Sequence, residues 1–105
     1  MRTIENMVMI LSMVDKSVAD AVAAKLHDTT DSRITIFYGT GHTDKKGFLG
    51  IQLNDEVVEI ICVVEKAEVD HVINEISETG RMEELGRGYI VTVPFVTMIV
   101  PYSTE

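Results

Sequence analysis

The chain is short of cysteine, of basic residues and of long apolar runs. Its one cysteine, Cys62, sits inside the apolar run VVEIICVV, so no intrachain disulfide is possible and the thiol reads as a small buried hydrophobe. A fold without disulfide staples fits a reducing compartment. Only 9 lysines and arginines stand against 17 aspartates and glutamates, a net charge of −8 that repels phosphodiester backbones and argues against nucleic-acid binding. The apolar stretch near the N-terminus, Met7 to Val14, falls well short of the ~20 residues that span a bilayer. It also lacks a small-residue cleavage site, so it is not read as a signal peptide. The expected location is the cytoplasm.

Signatures of chemistry are missing too. The sequence has no Ser-x-x-Lys or Gly-x-Ser-x-Gly, and no histidine beside a nucleophile. An enzyme is not expected. The three histidines, His27, His42 and His71, form no pair with Cys or Asp at metal-ligand spacing. The six methionines could suit a soft metal, but Met7, Met9 and Met13 fit core filling on the first strand and its exit.

What remains is a chain of 105 residues that is 46% hydrophobic, enough for one packed domain over 1–105. Residues 4–12 form an apolar run without a turn signal and predict a strand buried on both faces. Asp15 is a plausible N-cap for a helix whose Val18, Ala21, Val22 and Leu26 share a face. RITIFYG predicts a second strand, residues 39–55 a glycine- and lysine-bearing loop, and EVVEIICVV a third strand. KAEVDHVINEISETG predicts a second helix, with Val69, Val72, Ile73 and Ile76 in one stripe and Gly80 at C′. RMEELGRG is a polar loop. YIVTVPF is a fourth strand that VTMIV either extends or follows as a short fifth strand.

The order β-α-β-β-α-β predicts an α+β, ferredoxin-like fold: a four-stranded antiparallel sheet with two helices on one face. The first and third strands are apolar on both sides, so the uncovered face calls for a partner, most simply other copies of the chain. Glu59, inside VVEII, faces an assembly axis or solvent, or meets a base such as Arg33.

Three blocks in this order resemble the P-II signal-transduction proteins, and more closely their short-looped, non-standard relatives. They are GTG after the second strand, VVEKAEVDHVINEISETG, and LGRGYIVTVPF. The resemblance covers nearly the whole chain and implies a homotrimer that binds adenine nucleotide (ATP, ADP or AMP) in clefts between subunits. It places Gly39, Thr40 and Gly41 at the base of a regulatory loop and Gly86, Arg87 and Gly88 in the loop facing it across the cleft. Glycines there allow positive φ and close approach, so successive N–H groups can form an anion nest. Arg87, Lys45 and Lys46 would add charge, and His42 could meet a phosphate. By the same resemblance the 40–54 loop docks on a partner, an enzyme or a membrane transporter. The sequence also departs from the pattern. Tyr89 replaces the lysine that follows the second Gly-x-Gly, Glu83 and Glu84 stand beside it, and the C-terminal phosphate-gripping arginines are absent. These changes imply weaker ATP binding and no 2-oxoglutarate sensing. The alternative reading is a metal-handling or structural trimeric module of the divalent-cation-tolerance type, with metal held by His42 or methionines.

Overall fold

A computed structural model of the chain describes residues 1–29, 34–37 and 56–102, the backbone alone for 34–37. The elements run β1 (Arg2–Asp15), α1 (Lys16–Thr29), β2 (Ile34–Phe37), β3 (Val57–Glu65), α2 (Val69–Thr79) and β4 (Gly88–Val100). The strands pair antiparallel in the order β2-β3-β1-β4. The α+β order read from the sequence holds, and VTMIV extends β4 instead of forming a fifth strand. It does so because Val96, Met98, Ile99 and Val100 keep pairing with β1 as far as Arg2.

Alternation along the central strands decides which side is core. On β1, Val8, Ile10, Ser12 and Val14 are buried, and on β3 Val58, Ile60, Cys62 and Val64 are. Both sets point to the helix side and pack with Val22, Leu26, Val72 and Ile76. The one buried polar side chain among them, Ser12, donates from Oγ to the Ile60 carbonyl at 3.3 Å, so its burial leaves no unmet hydrogen bond. The other parity, Met9, Leu11 and Met13 on β1 with Ile61 and Val63 on β3, is only half buried. Helices cover one face of the sheet, and none of the described residues covers the other, so within one chain the first strand is fully buried on the helix side alone.

Helix α1 starts where expected. Asp15 Oδ1 accepts the Ser17 N–H at 2.9 Å and the Ser17 hydroxyl at 2.6 Å, the geometry of an N-cap. Its apolar stripe is shifted, however. Ala19, Val22, Ala23 and Leu26 are buried, while Ala21 is exposed. At about 100° per residue, Ala21 stands about 200° from Ala19 and so on the solvent side. The second helical segment opens with a 3-10 turn over Lys66–Glu68, in which Glu68 Oε2 accepts the Glu65 N–H at 3.4 Å. Val72 and Ile76 are buried, with Val69 and Ile73 packed at the rim of the core, as the spacing predicts.

The end of α2 differs from its sequence reading. Gly80 is the C-cap itself, with φ −80°, and Arg81 takes the left-handed C′ position at φ 52°. Met82 N–H reaches the Ser77 carbonyl at 3.0 Å and Arg81 N–H the Glu78 carbonyl at 3.2 Å, which completes a Schellman motif. Glycine at 80 avoids crowding: a Cβ would lie 2.8 Å from the Ile76 carbonyl oxygen and 3.2 Å from Met82 Cγ.

β1 and β4 continue past β3 as a two-stranded ribbon with two bulges. One extra residue lies in β1 between Ile4 and Met7, and one in β4 between Val93 and Val96. Asn6 (φ 60°) and Phe95 (φ 59°) supply the left-handed turns. Phe95 is 82% exposed, an aromatic held in a conformation that bulky residues avoid.

Candidate functional site

The loop between α2 and β4 is built from two consecutive turns. Glu84 N–H donates to the Arg81 carbonyl at 3.1 Å, and Arg87 N–H to the Glu84 carbonyl at 3.3 Å. Arg81, Glu84 and Arg87 therefore recur at intervals of three on one side of the loop. Glu84 sits between the arginines, with Oε1 on Arg81 and Oε2 accepting Arg87 Nε at 3.0 Å. These two contacts, Arg87 first and Arg81 second, hold the Glu84 carboxyl below its ordinary range.

Arg87 also reaches across to the start of α1. Its Nη1 donates to Ser17 Oγ at 3.3 Å and lies 3.8 Å from Asp15 Oδ1. The guanidinium is thus tethered to a loop carboxylate, a helix N-cap and the hydroxyl beside it, and its side chain is only 19% exposed. Among the described residues these contacts run through Nε and Nη1. Gly86 (φ 82°) and Gly88 (φ 148°) flank it. Gly88 is required by contact as well as by φ: a Cβ there would lie 1.7 Å from the Met13 carbonyl oxygen, because β4 begins directly against β1.

The predicted backbone nest is only partly present, since the Arg87 N–H is spent on the Glu84 carbonyl. Beside the loop lies an open depression of about 340 Å³ lined by Ser77, Glu78, Arg81, Glu83 and Glu84. Its walls carry more carboxylate than guanidinium, and it adjoins the C-terminal, partially negative end of α2. That depression by itself suits no highly charged anion.

The first turn of α1 also meets Glu56, the residue before β3. Lys16 N–H donates to the Glu56 carbonyl at 3.2 Å, and Lys16 Nζ lies 3.5 Å from Glu56 Oε2. Asp15 and Ser17 thus contact Arg87 of the 81–88 loop, while Lys16 between them contacts Glu56. Gly39, Thr40, Gly41, His42, Lys45 and Lys46 lie outside the described residues, as does Arg33. Of the predicted site residues the structure places Gly86, Arg87 and Gly88. It adds Glu84, Asp15 and Ser17, which the sequence reading missed as partners of Arg87. The signal for Glu84 was present in RMEELGR, a carboxylate three residues from each of two arginines. Nothing in the sequence linked Asp15 to a residue so far along the chain.

Glu59 is half buried on the uncovered face, opposite Met13 on one side and Phe37 on the other. Among the described residues no three His, Cys, Asp or Glu side chains converge on a point that could hold a metal ion. No described helix is long and apolar enough to cross a membrane.

No protein-family model matches the chain, and no curated protein does. Solved structures do match. PII of Arabidopsis thaliana bound to citrate superposes with a TM-score of 0.65 at 25% identity, over 85% of this chain and 77% of that one. CPII of Thiomonas intermedia, a nitrogen regulatory PII-like protein bound to ADP, AMP and bicarbonate, superposes with a TM-score of 0.69 at 14% identity, over 96% and 100%. The same protein bound to ADP, AMP and acetate gives 0.66 at 13%, over 96% and 95%. In its backbone fold this chain is similar to the PII and PII-like nitrogen regulatory proteins.

Proposed function

We propose that the chain is a PII-like regulator and not an enzyme. In this reading it is a homotrimer of single domains, each spanning 1–105. It binds a small anion, foremost an adenine nucleotide (ATP, ADP or AMP), in clefts between subunits. Each cleft combines Gly39, Thr40, Gly41, His42, Lys45 and Lys46 of one subunit with Gly86, Arg87 and Gly88 of the next. Occupancy orders the 40–54 loop, which then docks on a partner, an enzyme or a membrane transporter.

The observation that carries this reading is Arg87, a guanidinium flanked by two positive-φ glycines and fixed against the N-terminus of α1. The apolar, uncovered sheet face supports assembly, because Val91 and Val93 (38% and 37% exposed) continue the row begun by Met9 and Leu11. The ligands of the Thiomonas protein, ADP and AMP with bicarbonate or acetate, support the anion class. Calorimetry against ATP, ADP, AMP and cyclic dinucleotides, with and without Mg²⁺, tests the reading. Saturable heat with a nucleotide, lost in Arg87→Ala, is expected, and silence with every nucleotide overturns it. Light scattering on a sizing column tests the trimer.

A further inference from the structure

We propose that Glu84 is a specificity-determining residue of the Arg87 site: its carboxylate occupies Arg87 and restricts the site to anions of low charge. This rests on the reading of the 81–88 loop as an anion site. An incoming anion must share the guanidinium with Glu84, whose Oε2 accepts Nε at 3.0 Å, and with Asp15 at 3.8 Å. Glu84 also engages Arg81, the other cation of the loop. The charges of Arg81 and Arg87 are therefore offset by Glu84 and Asp15, and Glu78 and Glu83 remain on the wall of the depression.

What Arg87 still offers a ligand is Nη2, whose N–H groups serve a carboxylate, a bicarbonate or a terminal phosphate alike, since Nε and Nη1 are already engaged. That gain is nearly the same for every anion. Repulsion from the surrounding carboxylates is not, because it grows with the charge the ligand brings. Bicarbonate, with a single charge, and a nucleoside monophosphate meet the least of it, and a triphosphate meets the most. Glu84 contributes twice, as a nearby charge and as a competitor that must be displaced or shared.

Calorimetry of wild type, Glu84→Gln and Arg87→Ala against bicarbonate, AMP, ADP and ATP, at low and high salt, separates the possibilities. Wild type is expected to prefer AMP to ATP. Glu84→Gln is expected to tighten all four anions and to move the ATP-to-AMP affinity ratio roughly fivefold toward ATP, with the shift shrinking at high salt. A residue that merely shaped the loop would change the four affinities in parallel and leave that ratio alone. A ratio unchanged to within about twofold in Glu84→Gln, with binding lost in Arg87→Ala, overturns the role of Glu84 and keeps the site. Affinities that do not respond to Arg87→Ala overturn the underlying reading of the site. No binding by either wild type or Glu84→Gln overturns both.

Discussion

Replacing Gly88 with alanine tests the claim that β4 can begin only where a residue without a side chain lets it touch β1. The new methyl carbon would be placed 1.7 Å from the Met13 carbonyl oxygen and 2.7 Å from its carbonyl carbon. Neither atom can give way, since both belong to the backbone of a central strand paired on both sides. Alanine at φ 148° also carries its own conformational cost, about 1–3 kcal/mol. Relief requires β4 to pull away from β1 at the Val14–Gly88 rung, which forfeits the first ladder hydrogen bonds at about 1 kcal/mol each. The expected loss is about 3–5 kcal/mol, a large share of the ~5–15 kcal/mol that stabilises a typical domain. Urea unfolding followed by far-ultraviolet circular dichroism, at one fixed protein concentration, measures it. Gly80→Ala is the control. Its φ of −80° suits any residue, and one of its two close neighbours is the flexible Met82 side chain, so about 1 kcal/mol is expected. A Gly88→Ala protein within about 1 kcal/mol of wild type would refute the reasoning.

Leu26→Ala, at a site fully closed to solvent between the helices and the sheet, should cost about 2–5 kcal/mol in the same unfolding assay. Burial, and then the charge of Glu68, push the Cys62 thiol up to about 11, so it should resist alkylation at pH 8 until urea unfolds the chain. Because the folded thiol ionises later than the unfolded one, its contribution to stability is complete below pH 9. It is lost as pH rises toward 11, by up to about 2–3 kcal/mol in total. A Cys62→Ala protein should lack that alkaline decline. Ile61→Glu puts a charge in the middle of the uncovered apolar face, and the sizing column should show the proposed trimer dissociating to single chains.

Much of the framework was legible because it depends on local pattern. VVEIICVV was read as a strand apolar on both sides, and it is the structure that separates buried Ile60 and Cys62 from half-buried Ile61 and Val63. The 3.6-residue stripe on α2 was read directly. Short-range rules failed where two choices were almost equal. Gly80 and Arg81 can each take the cap, and it is burial under Met82 that assigns glycine to 80 and leaves Arg81 left-handed. The site was the least legible part. Arg87 was singled out in the sequence, but its partners at Asp15 and Ser17 are brought to it only by the β1–β4 pairing, a contact between the two ends of the chain.

The two bulges in the β1–β4 ribbon have a consequence for how this sequence can change. Each shifts the register by one residue and the shifts are opposite, so Arg2–Ile4 and Met9–Val14 meet β4 in the same phase. The ribbon therefore behaves like a pair of compensating frameshifts. Loss of Asn6 alone would leave the extra residue at Phe95 unopposed and turn every side chain of the outer ribbon to the opposite face. Loss of both would restore the phase and remove both left-handed residues. Insertions and deletions at these two positions, far apart in the chain, are expected to be tolerated only together.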